Sequence, residues 1–349
     1  MTSATLPPPA AGPDARALGE RAGEAEGMGQ WDAAARHYAL AFRASVLGGD
    51  LAAAADALRG QARVRNHQRR FDEAEELAEL SLEIAERHGL HQCAARALNV
   101  LGVVLLARGE WEKARTLFPQ ALEMALDLGD DDLAGLACQN AGVIANALGE
   151  FREARTLFLQ SIGSFVRSGN SVHAMSAYNN LGLASAELRE WMDAEVYFSR
   201  GIEIGERLSS SPVLAKLYCN RAEPLIQVGE LARARATLDR AERAAESVGD
   251  RATLAETWRY RAVIASMDGE REAAEGHLRR AMSIADDVSL TLERARAVRQ
   301  LGILRAEQGR AAEARALFGQ ARDLFQSLGA DVLVREVAER DEQLSFTAL

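Results

Sequence analysis

Apolar and polar positions follow one another along most of this chain with the period of a helix, and the helices so marked come in pairs. Between Gln92 and Arg108 the apolar residues Ala94, Leu98, Leu101 and Leu105 stand three or four apart, which puts them on one helical stripe. Gly109 follows at a C-cap position, and Glu110 opens a second helix where an acidic side chain suits the helix dipole. That helix carries Ala114, Leu117, Phe118, Ala121 and Ala125 on one face and stops at Gly129. The pattern predicts helix A, a tight turn, helix B and a slightly longer turn.

This hairpin recurs every 40 residues without insertion or deletion. The aromatics after Gly-Glu, Trp111 and Phe151, have counterparts at Trp31, Phe71, Trp191, Leu231, Arg271 and Ala311. Seven residues later the column reads Tyr38, Ala78, Phe118, Phe158, Phe198, Leu238, Leu278 and Phe318. Nine residues before the tag every residue is small: Ala22, Ala62, Gly102, Gly142, Gly182, Ala222, Ala262 and Gly302. Small residues at fixed places predict close helix–helix approach. B helices end on Gly49, Gly89, Gly129, Gly169, Ser209, Gly249, Ser289 and Gly329, and Asp50, Asp130 and Asp250 follow as N-caps. A fixed period of this length is the mark of a stacked array in which each unit buries its apolar face on its neighbours.

The pattern of Leu98, Leu101, Gly102, Leu105, Ala114, Phe118 and Ala121 resembles the tetratricopeptide repeat family. The period exceeds that family's commonest length and is similar to the longer-helix variety of kinesin light chains, Pins-type adaptors and maltose-activator-like sensor regions. The resemblance implies an all-α, right-handed superhelical solenoid of eight antiparallel hairpins over residues 15–329. A Pro/Ala-rich tail over 1–14 precedes it, and a capping helix with a short tail over 330–349 closes it. Val332, Leu333 and Val337 are expected to face inward from that helix, and repeat one departs most from the pattern, with Arg21 where Leu is expected.

Composition agrees with helices. At 349 residues the chain exceeds one compact core, and beyond Pro13 its prolines are Pro119, Pro212 and Pro224 alone. The net charge of −10 argues against direct nucleic-acid binding, which needs a basic field. All but two of the 41 basic residues are arginine, the exceptions being Lys113 and Lys216, and alanine is abundant, a usage that points to a GC-rich bacterial genome. Three distant cysteines, Cys93, Cys138 and Cys219, form no disulfide framework or zinc motif. Met1 to Asp14 lacks the form of a secretory signal, and the longest apolar run, Val100 to Ala107, is too short for a bilayer, so a cytoplasmic location without membrane contact is expected.

No catalytic constellation stands out, and neither an enzyme nor a cofactor is expected. His88 and His91 have a metal-like spacing, but Gly89, the expected helix stop, keeps their rings off a shared face. There is no Gly-x-x-x-x-Gly-Lys loop and no Gly-x-Ser-x-Gly elbow.

The face of helix A opposite its core stripe is polar. One column reads Arg59, Asn99, Gln139, Asn179, Cys219, Arg259 and Arg299, and its neighbour Gly60, Val100, Asn140, Asn180, Asn220, Tyr260 and Gln300. In the resembled family this face lines the concave groove. Asn is a mediocre helix former, and its amide can pair with an extended peptide's backbone at roughly 1 kcal/mol per bond. The alternative is that these amides bridge adjacent A helices or face water. Arg59, Arg63 and Arg96 flank the strip at one end, and Arg259, Arg296 and Arg299 at the other, beside Glu223, Glu256 and Glu307. Guanidinium forks suit carboxylates, so an acidic peptide is a candidate guest, against the alternative of Arg–Glu pairing between hairpins. The family's chaperone-binding clamp of Lys, Asn, Asn, Lys and Arg falls on Gln139, Val143, Asn180, Lys216 and Asn220, where only Asn180 and Lys216 match. The reading is a scaffold for a protein or peptide partner, itself monomeric or weakly self-associating. Its alternative is a sensor of a peptide or small ligand that acts on a separate effector.

Overall fold

A computed structural model describes residues 14–208 and 212–346, without the side chains of residues 212 and 343–346. The expected tail thus lies outside the described residues but for Asp14, as does Ser209. Seventeen helices are described and, among these residues, no strand. Contacts divide the chain into two compact units, Met1–Ala174 and Met175–Leu349.

In the first unit helices α1 (Ala15–Gly27), α3 (Leu51–His67), α5 (His91–Arg108) and α7 (Asp131–Ala147) are A helices. Their B partners are α2 (Trp31–Gly48), α4 (Phe71–Arg87), α6 (Trp111–Asp127) and α8 (Phe151–Ser168). Each helix packs on the next, and successive A helices also touch: α1 on α3, α3 on α5, α5 on α7. Helix α9 (Ser171–Glu187) carries the boundary. The second unit continues with B helices α10 (Trp191–Arg207), α12 (Leu231–Val248), α14 (Arg271–Asp287) and α16 (Ala311–Ser327). They alternate with A helices α11 (Pro212–Gln227), α13 (Arg251–Met267) and α15 (Thr291–Glu307), and α17 (Asp331–Phe346) follows. Here too α11 meets α13 and α13 meets α15.

The stripe positions are the core. Ala94, Leu98, Leu101 and Leu105 of α5 and Ala114, Phe118, Ala121 and Ala125 of α6 are all buried, and Leu117 is half-buried at their edge. The small column works by backbone approach. A methyl at Gly102 would fall 2.7 Å from Phe118 Cε1, and one at Gly142 2.6 Å from Phe158 Cε1. Gly182 and Gly302 stand in the same relation to Phe198 and Phe318. These contacts are closer than any carbon pair tolerates, so the aromatic column and the small column specify each other.

Turn chemistry explains the phase of the repeat. Gly109 takes φ 89° and donates its N–H to Leu106, while Glu110 donates to Leu105, which satisfies carbonyls the helix end would leave open. Arg69 and Arg189 take left-handed angles at the equivalent A–B turns, and Ser289 at a B–A turn, without being glycine. Each does so at a cost of roughly 1–2 kcal/mol, met because the turn's hydrogen bonds and the packing behind it fix the backbone. The expected caps form: Asp50, Asp130 and Asp250 accept from Ala53 N, Leu133 N and Thr253 N. In α17 Val337 is buried and Leu333 half-buried, but Val332 is 61% exposed, contrary to expectation. Val332 lies one residue off the α17 stripe, which α16 covers only on one side.

Candidate functional site

In the first unit the A helices frame a cleft of about 910 Å³. Its apolar part is Val100, Val103 and Val104 of α5 with Leu133 and Leu136 of α7. Its polar part includes Arg59, Arg63, Arg96, Asn99 and Asn140, all singled out from sequence. Helical spacing places them there: Arg96, Asn99, Val100 and Val103 are one face of α5, three or four residues apart.

Asn140 Nδ2 donates to Asn99 Oδ1 at 3.1 Å, so the amides of α7 and α5 bridge two hairpins. Asn99 is buried and Asn140 half-buried. The bridge uses one donor and one acceptor, which leaves the Asn99 amide N–H groups and the Asn140 carbonyl oxygen for other partners. Trp31 and His67, which also line the cleft, stack with ring centroids 3.7 Å apart. Asn66 lines the cleft as well, and its Oδ1 has no protein partner.

The arginines are paired. Arg63 clasps Glu26 with two bonds of 2.8 and 2.7 Å and reaches the Tyr38 hydroxyl at 3.0 Å, and that hydroxyl donates to Glu26. Burial raises the Glu26 pKa, but the guanidinium and the hydroxyl outweigh it and hold the carboxyl below its ordinary value. Burial together with the Glu26 bond pushes Tyr38 up to about 12. Arg96 holds Asp130 at 3.0 Å and Arg59 holds Asp56 at 2.9 Å. Burial, with Arg63 and Arg96 as like-charged neighbours, lowers the Arg59 pKa in spite of Asp56. Intramolecular pairing thus holds at the N-terminal cluster as well as at the C-terminal one.

Gln139, also singled out, is half-buried on α7 with its Oε1 enclosed and unpartnered. It is absent from the residues lining the cleft.

In the second unit the polar face closes on itself. Asn220 Nδ2 donates to Asn179 Oδ1 at 2.8 Å, repeating the bridge, and Asn179 Nδ2 reaches Asn180 Oδ1 at 3.5 Å. Lys216 sits 2.6 Å from Glu256, with Arg259 at 3.4 Å and Arg296 at 3.6 Å from the same carboxylate. Burial raises the Glu256 pKa, but the three cations overcome it and hold the carboxyl at about 2. Tyr260 is buried, donates to Glu223 at 2.9 Å and lies under the Arg259 guanidinium, 4.1 Å from the ring centroid. Arg299 pairs with Glu336 of α17 at 2.7 Å, and Glu307 accepts from Ser266. Lys216, Asn220 and Tyr260 are therefore tied up within the fold.

His88 is the C-cap of α4 and His91 the first residue of α5, so they stand on separate helices. Among the described residues no group of three or more His, Cys, Asp or Glu is placed to hold a metal ion. Among them, too, no helix is long and apolar enough to cross a membrane.

Residues 93–165 match the family model described as Tetratricopeptide repeat. These residues are tetratricopeptide repeats. They contain α6, α7, nearly all of α5 and most of α8, and with them Arg96, Asn99, Gln139 and Asn140. No curated protein matches the sequence. Among solved structures the chain is similar to a Signal Transduction ATPase with Numerous Domains, from Pyrococcus horikoshii, that has a tetratricopeptide repeat sensor. The TM-score is 0.68 at 12% identity, over 93% of this chain and 50% of that one. It is also similar to the apo form of RapI, with TM-score 0.59 and 15% identity over 79% and 98% of the two chains. A Rap protein complexed with Competence and Sporulation Factor gives 0.58 and 21% over 78% and 75%. At these identities the likeness is one of fold.

Sequence reasoning missed that carboxylates hold the arginines of the cleft. Glu26 and Asp56 stand on α1 and α3 and belong to no column of the repeat, and Asp130, from the N-cap column, stands just before α7. Asp130 was recognised as an N-cap, and it serves both the Leu133 N–H and Arg96. The asparagine bridges span 41 residues, one more than the period, so they join neighbouring columns and a column-by-column reading passes over them.

Proposed function

We propose that this chain is a non-enzymatic scaffold that holds an extended segment of a partner protein in the groove of its first unit. The carrying observation is the Asn99–Asn140 bridge beside a cleft of about 910 Å³. It orients two amides with an N–H and a carbonyl left over, the pair of groups that one residue of an extended backbone needs. The apolar cleft wall supplies burial for a side chain, and the arginines favour a segment with an acidic group. The second unit's face, with its charges matched internally, serves as support.

The test is to change Asn99 and Asn140 together to Ala in the full chain and compare capture of partners from the source cell, with helicity checked by circular dichroism. Loss of a specific, peptide-mappable partner with the fold intact is the expected result; undiminished capture would sink the groove reading. A second reading, a sensor that changes a separate effector, is favoured by the coverage of 93% of this chain by the sensor-bearing Pyrococcus protein. Solution scattering that changes on adding the captured segment would favour it.

A further inference from the structure

The B helices of the first two hairpins each carry an exposed stripe opposite the one they bury. On α2 it is Asp32, Arg36, Leu40, Arg43 and Leu47, three or four residues apart and all exposed. On α4 the same repeat positions hold Asp72, Glu76, Leu80, Glu83 and Arg87, again all exposed. Each stripe has a leucine at its middle, Leu40 at 45% and Leu80 at 41% exposure. Arginines flank Leu40, and glutamates flank Leu80. The next two B helices have neutral polar residues there, Thr116 and Gln120 on α6 and Thr156 and Gln160 on α8. Helix α3 packs on both α2 and α4, and their opposite charges do not meet across it. Arg36, Arg43 and Glu76 form no ion pair among the described residues. Glu83 holds only its own helix's Arg87, at 2.5 Å.

We infer that a second copy of this chain docks on this face, in a two-fold pair that lays α2 of each protomer antiparallel along α4 of the other. An isologous contact requires a surface that is its own complement, and this one is. Down α2 the charges Asp32, Arg36 and Arg43 come at intervals of four and seven residues. Up α4 Arg87, Glu83 and Glu76 come at the same intervals with the opposite signs. Asp32 therefore meets the partner's Arg87, Arg36 the partner's Glu83 and Arg43 the partner's Glu76, with Leu40 against the partner's Leu80. The two-fold axis repeats every pair. Helices laid the same way would also match arginine with glutamate, but they would set Asp32 on Asp72. Leu47, which is 90% exposed, comes level with the first turn of the partner's α4, where Phe71 stands. Exposed ion pairs each contribute little, so the leucines supply the burial and the charges set orientation and salt dependence. So few apolar contacts make a weak, reversible dimer. None of these residues lines the cleft, so the dimer carries two open clefts and the inference is independent of what they hold.

Sedimentation equilibrium of the full chain, across about a hundredfold range of concentration, tests this. The expected mass rises from one chain towards two, and added salt lowers it. The charge reversals Arg36→Glu with Arg43→Glu, and separately Glu76→Arg with Glu83→Arg, should each weaken self-association by about a hundredfold or more. Mixed together, the two variants should form a one-to-one dimer, because each reversed α2 then faces a reversed α4. That recovery also shows that both variants fold. Leu40→Asp should abolish association with helicity by circular dichroism unchanged. A chain that stays monomeric throughout, as it would if a different protein covered this face, overturns the inference. So does association that survives both reversals, or that is lost in both and does not return on mixing.

Discussion

Glu256→Gln is the sharpest probe of the second unit. The wild-type carboxylate is 7% exposed and faces Lys216, Arg259 and Arg296, which come from α11, α13 and α15. Its pKa is about 2 against an ordinary 4.5. At about 1.4 kcal/mol per unit, that depression corresponds to about 3 kcal/mol of stability at neutral pH. The figure agrees with the roughly 3–5 kcal/mol lost when a buried ion pair loses one partner. The amide keeps the shape and one acceptor but leaves three cations facing one another. Because the folded pKa is depressed, the contribution is complete above about pH 4.5 and is lost as pH falls towards 2. Urea denaturation of the full chain at pH 7 is expected to show the variant about 3 kcal/mol less stable. At pH 3 the parent's unfolded Glu256 is protonated, and the gap should shrink to less than half of that. Hydrogen exchange along Arg251–Met267 should rise in the variant. A gap under about 1 kcal/mol at pH 7, or one of constant size between pH 7 and 3, would refute the reasoning.

Two further outcomes test the packing. Gly142→Ala should destabilise by about 1 kcal/mol net, since overpacking against Phe158 exceeds what alanine gains in the helix. Phe158→Leu in the same chain should then cost less than in the parent, and an additive double-mutant cycle would show that the two columns do not touch. Burial pushes the Cys138 thiol up to about 11 and the fully enclosed Cys219 thiol higher still. In native protein at pH 8, iodoacetamide should therefore modify the half-buried Cys93 first, as read by peptide mass; equal rates at all three would contradict the burial.

The hairpins were legible because their causes are local and repeated. Gly109 and Glu110 set a turn, Leu98, Leu101 and Leu105 set a stripe, and Gly102 implies Phe118. The polar face was legible as a face but not as a set of bonds. Whether Arg63 is available depends on Glu26, 37 residues away on another helix, and on Tyr38 in between. Such pairings depend on how neighbouring hairpins stack, which the residue types alone do not specify. Lys216 shows the same limit: it matches a clamp position in sequence, and in space Glu256 claims it.

On the proposed reading, the amide bridge of the first unit would register a guest as well as hold it. Asn140 donates to Asn99 across the seam between two hairpins, so that bond depends on how closely α5 and α7 lie. A guest that uses only the outward N–H and carbonyl leaves the seam closed. One that takes the Asn99 oxygen must part the two helices, and the pitch of the stack then registers what the groove holds.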